Sequence, residues 1–229
     1  EKIKKAIDFL AEAESGKDFT PRYYNHNASE FVQIDLNSHL YGVENFLTQY
    51  FSGKNEEKRL FYEKQKQIRL KLIKKYCYNE TTGLYYDYNV LTKKRSSRIC
   101  AACFLPFYYG FAKDKSSLCK LYEKLTTESG VVACEDTGEY IYQWGYPNIW
   151  APHQYFAYVA LKENGLDKLA AELSDNYMKL LEKEFLRTGK IWERYDTGGV
   201  AKSLEYDTQP MLGWTAGVYN YFWKNKYGN

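Results

Sequence analysis

Apolar residues recur at spacings of three and four in one segment after another, and that pattern leaves few folds open. Residues 2–13 carry Ile3, Ala6, Phe9, Leu10 and Ala13 in this spacing, which predicts one amphipathic helix. Leu36, Leu40, Val43, Phe46, Leu47 and Tyr50 repeat the pattern to about Phe51, behind N-cap candidates in Asp35-Leu36-Asn37-Ser38. After a break at Ser52-Gly53-Lys54-Asn55, a third helix is expected over 56–76, with Leu60, Phe61, Ile68, Leu72, Ile73 and Tyr76 inside and Lys and Arg outside. Further helices are expected over 99–112, 115–127, 150–163, 166–186 and 214–224. Residues 79–94 differ: Thr81-Thr82-Gly83 reads as a turn and Leu84 to Val90 is β-prone, so a short hairpin is expected there.

Long polar, aromatic loops separate these helices at alternating junctions. A helical repeat whose loops carry the chemistry fits a toroid or solenoid better than a bundle. At 229 residues, one domain over 1–229 is the default. A net charge of +3, with Lys spread along helical faces, lacks the dense basic stripe of nucleic-acid binders. The run from Ile99 to Ala112 is too short for a bilayer and is broken by Pro106, so no membrane span is expected. Five Cys do not make a complete disulfide framework, and Cys100-x-x-Cys103 has no second pair and no nearby His. His26, His39 and His153 stand alone, so no metal is expected. No phosphate- or dinucleotide-binding glycine motif appears, and no cofactor is expected.

The densest stretch is Gln143 to Pro152, with two Trp, a Tyr, two Pro and the amides of Gln143 and Asn148. Flat apolar faces beside amides suit a sugar ring and its hydroxyl rim. Equally, buried Trp can staple two helices together. Carboxylates gather in three loops: Glu14/Asp18 with Arg22; Glu135/Asp136/Glu139; and Glu193/Asp196 with Arg194 and Glu205. Asp18 itself is either a turn residue bonding its own backbone or a functional acid. Paired carboxyl groups with aromatic walls point to glycoside hydrolysis, in which one carboxylic acid protonates the leaving oxygen and a second carboxylate activates water or attacks.

These loops carry a family resemblance. Glu14 to Arg22 resembles the trehalase segment E-S-G-W-D-F-S-S-R, and Gln143 to Pro152 resembles Q-W-D-Y-P-N-x-W-x-P. Trp192 to Asp196, then Glu205-Tyr206, then Gly213 to Gly217 are similar to E-K-Y-D, G-G-G-G-E-Y and G-W-T-N-G, in that order. Asp35-Leu36-Asn37 and Tyr85 to Tyr88 also match in position. The chain is thus identified as similar to trehalases, glycoside hydrolase family 37, or a close relative. The resemblance implies an all-α (α/α)6 toroid and an inverting mechanism on an α-glucosidic bond, α,α-trehalose foremost, with Asp18 as general acid and Glu193 as general base. It places Gly16 and Glu205 against the sugar, with Glu205 on a lid loop. Trp144 and Trp150 would wall the pocket and Gln143 would bond hydroxyls. Arg22, Asn37, Asn148 and Trp214 complete the implied substrate-binding set.

Three departures bear on specificity. Lys17 stands where the family has Trp, Gly145 where it has Asp, and Val200 to Leu204 where it has a glycine run. The Thr20-Pro21-Arg22 ending leans toward family 63 α-glucosidases, which leaves an oligosaccharide as the alternative substrate. A catalytically inactive glycan-binding or interaction module is the other alternative. The matched motifs belong to the C-terminal half of the family. The expectation is therefore about half a toroid, its remainder supplied by a second chain or a further segment, and the absence of Met at Glu1 fits an upstream segment.

Overall fold

The computed structural model describes residues 1–23, 26–202, 206–210 and 213–228. Eight α-helices lie among them: α1 (Lys2–Glu14), α2 (Ile34–Phe51), α3 (Glu56–Tyr76), α4 (Leu105–Tyr108), α5 (Lys115–Leu125), α6 (Ala151–Glu163), α7 (Asp167–Thr188) and α8 (Trp214–Tyr227). The loops between them contain ten strands of two or three residues: β1 (Phe31–Val32), β2 (Tyr78–Asn79), β3 (Leu84–Tyr85), β4 (Tyr88–Asn89), β5 (Lys94–Arg95), β6 (Thr126–Thr127), β7 (Gly130–Val131), β8 (Asn148–Trp150), β9 (Arg194–Asp196) and β10 (Gly199–Val200).

Helix ends follow local chemistry. The Asn55 side chain accepts from Lys58 N at 3.0 Å and starts α3, with Glu56 and Glu57 in its first turn and Lys74 and Lys75 in its last. Asp114 caps α5 through Ser116 N at 3.1 Å. Gly189, at φ 69°, closes α7 in the left-handed conformation that glycine adopts without strain. The hairpin expected over 79–94 is present as two small ladders, β2 with β3 and β4 with β5, and β4 also pairs with β1.

Two helical expectations need correction. The predicted helix over 99–112 is a 3-10 turn at Ala101–Phe104 followed by the single α-turn of α4. Pro106 begins that turn, where its missing N–H is harmless. Gly110, at φ 77°, ends it while Phe111 N and Ala112 N turn back to Pro106 O. In α3, Ile73 is buried, but Leu60, Phe61, Ile68 and Leu72 are 44–55% exposed rather than inside. Periodicity specifies which face seeks cover; it does not supply the cover.

The main core lies under α4–α8. Helix α6 packs on α4, α7 and α8, burying Ala157, Leu161, Leu173, Tyr177, Leu181 and Phe222. Helices α2 and α3 pack on each other to one side, joined through the Arg69 guanidinium, which donates to both Glu44 carboxylate oxygens at 2.7 and 2.9 Å. Among the described residues no helix is long and apolar enough to cross a membrane.

Candidate active site

Three separate loops converge at one end of the helices. The first follows α1. Its tether is Glu12, buried in α1, whose carboxylate accepts from Thr20 N at 3.0 Å. A buried carboxylate met by a backbone N–H both satisfies that donor and fixes where the loop leaves the helix. Gly16 takes φ 69° and Phe19 φ 57°. The left-handed conformation is easy for glycine and costs a Phe of order 1 kcal/mol or more, so the strained residue sits directly beside Asp18.

The second loop runs from Tyr142 into β8 and is laid against the first. Trp144 N donates to Phe19 O at 3.3 Å, Thr20 Oγ1 donates to Trp144 O at 3.3 Å, and Gln143 Nε2 donates to Asp18 O at 3.4 Å. Inside this loop, Asn148 Nδ2 donates to Tyr142 O and Gly145 O, and Trp150 Nε1 donates to Gln143 O at 2.8 Å. The two tryptophans stack at 3.9 Å between ring centroids and 7° between planes.

Gly145 is explained by this contact between loops. A Cβ at that position would lie 3.0–3.1 Å from the Pro21 ring and 3.2 Å from Tyr142 Cβ. Pro21 and Gly145, two departures on different loops, therefore form one close approach, in which a larger side chain at position 145 would require Pro21 or Tyr142 to give by a few tenths of an ångström.

The third loop is joined to the second as a sheet. Strand β8 pairs antiparallel with β9, setting Asn148 opposite Asp196, Ile149 opposite Tyr195 and Trp150 opposite Arg194. Glu193 lies at the bend just before β9. Its N–H donates to Gln209 O at 2.8 Å, and its carbonyl accepts from Trp214 Nε1 at 3.1 Å and Thr215 Oγ1 at 3.3 Å, so the start of α8 holds it. The carboxylate oxygen Oε2 of Glu193 is buried and meets no hydrogen-bond partner among the described residues. A buried acceptor left unmet costs about 1–3 kcal/mol, and such atoms in native proteins usually have a job.

One side chain joins all three loops. Gln143, 2% exposed, donates from Nε2 to the Asp18 carbonyl and accepts at Oε1 from Arg194 Nη1 at 2.8 Å. Arg194 is fully buried, lies over the Trp150 and Tyr206 rings at 5.4 and 5.0 Å, and donates to Tyr206 O at 3.2 Å. A single amide thus links the backbone of one carboxylate residue to the neighbour of the other. Sequence reasoning placed Arg194 in the right loop without assigning it this part; its position opposite Trp150 exists only once β8 and β9 pair.

Beside this junction lies a cavity of about 170 Å³, lined by Gly16, Lys17, Trp144, His153 and Trp214 together with Ala101, Ala102 and other apolar neighbours. Trp144 and Trp214 face it, whereas Trp150 lies behind Trp144 and is 1% exposed. Trp150 meets the Trp214 ring edge-on at 5.5 Å and 90°. Asp18 and Glu193, both half-buried, stand near this cavity without forming its wall. Arg22 and Asn37 are engaged elsewhere. Arg22, 1% exposed, is clamped between Asp35 and Asp87 by four hydrogen bonds of 2.6–2.9 Å. Asn37 donates to Gln33 O and accepts from Arg69 Nη1. Glu205 lies outside the described residues. Lys17 forms an ion pair with Asp35, and Asp35 is held well below the usual carboxylate range: burial pushes it up, and Arg22 and Lys17 more than offset that. Among the described residues no cluster of three His, Cys, Asp or Glu side chains is placed to hold a metal.

The family model described as Trehalase matches residues 9–226. The chain belongs to the trehalase family. Neutral trehalase from Saccharomyces cerevisiae is similar in fold, with a TM-score of 0.76 and 24% identity over 96% of this chain and 43% of that one. An uncharacterised conserved protein from Thermus thermophilus matches at TM-score 0.64 and 17% identity, over 85% of this chain and 47% of the other. The mannosylglycerate hydrolase of family GH63 from the same organism matches at 0.62 and 14%, over 85% and 45%. This trehalase-family chain therefore has the helical plan of (α/α)6 toroid enzymes and spans less than half the length of each of these structures.

Proposed function

We propose that this chain supplies the acid, the base and one side of the sugar pocket of an inverting glycoside hydrolase that cleaves an α-glucosidic bond, with α,α-trehalose as substrate and glucose as product. The observation that carries the reading is the Gln143 bridge, which brings the Asp18 loop and the Glu193 loop to one buried amide beside a tryptophan-walled cavity. Asp18 donates its proton to the glycosidic oxygen as the bond to the anomeric carbon breaks. Glu193 takes a proton from the water that attacks the opposite face of that carbon. Its unmet Oε2 is the atom suited to that water. Inversion calls for carboxyl groups about 6.5–9.5 Å apart, leaving room for the water between them. Trp144 and Trp214 present flat apolar faces to the ring, and Gly16 lets backbone approach it without a Cβ.

The apolar faces of α1–α3 enter the same proposal. Ile3, Phe9 and Leu10 on α1, Val43 and Phe46 on α2, and Leu60 and Phe61 on α3 are all more than half exposed. Contiguous exposed apolar surface marks an interaction site. The occupant we assign is the set of remaining toroid helices, from a further segment or a second chain.

A second reading rests on Lys17, whose ammonium is committed to Asp35 where the family pattern has an aromatic ring. It makes the chain a glycan-binding module without turnover, or one that acts on a longer α-glucoside. Glucose release from trehalose, kojibiose, nigerose and maltose separates these. The enzyme reading expects release from at least one substrate, lowered about 10²–10⁴-fold by Asp18→Asn and likewise by Glu193→Gln. Sugar binding with no release in the parent protein supports the module.

A further inference from the structure

Of the three histidines, two have polar partners: His39 Nδ1 meets the Tyr109 hydroxyl at 2.7 Å, and His26 Nδ1 meets Glu12 at 3.2 Å. His153 has none. It is 4% exposed, and both ring nitrogens are buried without a hydrogen-bond partner. It stands in the first turn of α6, directly after Pro152, and lines the same cavity as Gly16, Lys17, Trp144 and Trp214. The Trp144 ring meets the imidazole at 5.4 Å and 64°, which fixes the imidazole's place against the cavity wall.

We propose that His153 reads the sugar: one nitrogen of its imidazole forms a hydrogen bond with a pyranose hydroxyl in this cavity. The inference deepens the glycosidase reading and rests on it. A neutral imidazole carries one N–H donor and one lone-pair acceptor, and a sugar hydroxyl can answer either of them. No neighbour fixes the tautomer, so either nitrogen can take either role. The surroundings keep the ring uncharged: burial holds its pKa down at about 3, with Lys17 and Arg22 pushing the same way and Asp35 opposing them. A charged imidazole would only donate; a neutral one can do both. A buried polar side chain left unpaired without sugar also makes the pocket selective, because a ligand lacking the hydroxyl leaves it unpaired.

The test measures D-glucose binding to the full chain by calorimetry, alongside nitrogen NMR of histidine-labelled protein. We expect the His153 ring resonances to move on saturation with glucose. His153→Leu should lower glucose affinity about ten-fold, with His153→Asn retaining part of it. One monodeoxyglucose should bind the parent about ten-fold more weakly than glucose, and His153→Leu should add no further loss with that sugar, the signature of a direct pairwise contact. If glucose binds His153→Leu as it binds the parent, or every deoxy sugar loses as much in the variant as in the parent, the proposal is overturned and the glycosidase reading stands. If glucose does not bind the parent at all, both fall. Thermal unfolding of His153→Leu at neutral pH should be no lower than the parent's, which separates a lost contact from a damaged fold.

Discussion

Helices α1 and α7 carry the same kind of amphipathic pattern and lie in opposite environments. In α7 the apolar face is inside: Leu173 and Tyr177 are fully buried and Leu181 nearly so, packed under α6 and α8. In α1 the buried side chains are two acids, Asp8 and Glu12, while Ile3, Phe9 and Leu10 are 59–78% exposed. Both arrangements satisfy elementary rules. Asp8 is met by Lys4 and by Ser29, and Glu12 by Thr20 N and His26, so neither carboxylate is buried alone. The difference is one of task. α7 faces a core, and α1 faces the loop that carries Asp18. α2 repeats the contrast, with Asp35 and Glu44 buried in ion pairs and Val43 and Phe46 exposed. One region is held by apolar packing and the other by charged groups that position loops.

The sharpest way to break that comparison is to cut one strut in each region. Arg22→Met removes the guanidinium between Asp35 and Asp87, leaving Asp35 to Lys17 and Asp87 to the Ile34 N–H. We expect a loss of about 3–5 kcal/mol in urea unfolding. Leu173→Ala opens a void in the α7 core and should cost about 2–5 kcal/mol in the same assay. An Arg22→Met variant as stable as the parent would show that the charged region does not depend on its pairs.

Acid separates the regions less steeply. His153 is depressed to about 3 in the folded chain, so below its ordinary value near 6.5 the unfolded chain binds a proton that the folded one refuses. Stability contributed by the neutral ring is therefore intact above about pH 6.5 and falls as pH drops toward 3, by at most about 1.4 kcal/mol per pH unit. His39, also lowered by burial, adds a smaller slope of the same sign. Asp35, held well below its ordinary value, loses its contribution only at lower pH, beneath the usual carboxylate range. Chemical denaturation between pH 7 and pH 4 should show a shallower slope in His153→Leu than in the parent.

The smallest expected effect is on the exposed face. Phe9→Ser and Phe46→Ser should change unfolding free energy by no more than about 0.5 kcal/mol, because the two side chains are 67% and 62% exposed. Both should reduce self-association in sedimentation velocity. A loss of several kcal/mol in either would mean that the face is already covered.

Much of this was legible in the sequence. Helix α3 runs over Glu56–Tyr76 as its spacing predicts, and the hairpin region and the order of the loops follow as read. The limit is plain in α1 to α3, where the three-four repeat is real but its apolar face is turned outward. A repeat records a difference between faces, and only the partner decides which face is inside. The site was legible as a set of loops and not as a geometry. Gln143 was picked out for sugar hydroxyls, yet its amide spans Asp18 and Arg194, a link that depends on β8 pairing with β9, far apart in sequence. Gly145 reads as a lost Asp until Pro21 is seen against it. His153 carried no sequence signal, since a lone His gives no hint that both its nitrogens lack partners.

The central claim is that the Asp18 and Glu193 loops are brought together for inversion at an α-glucosidic carbon. Proton NMR of the first glucose released from trehalose tests it most directly, because the anomeric signals distinguish the two products before mutarotation mixes them. The account predicts that one of the two glucose units appears first as the β-anomer. Release of only α-glucose at early times, or no release at all, would contradict it.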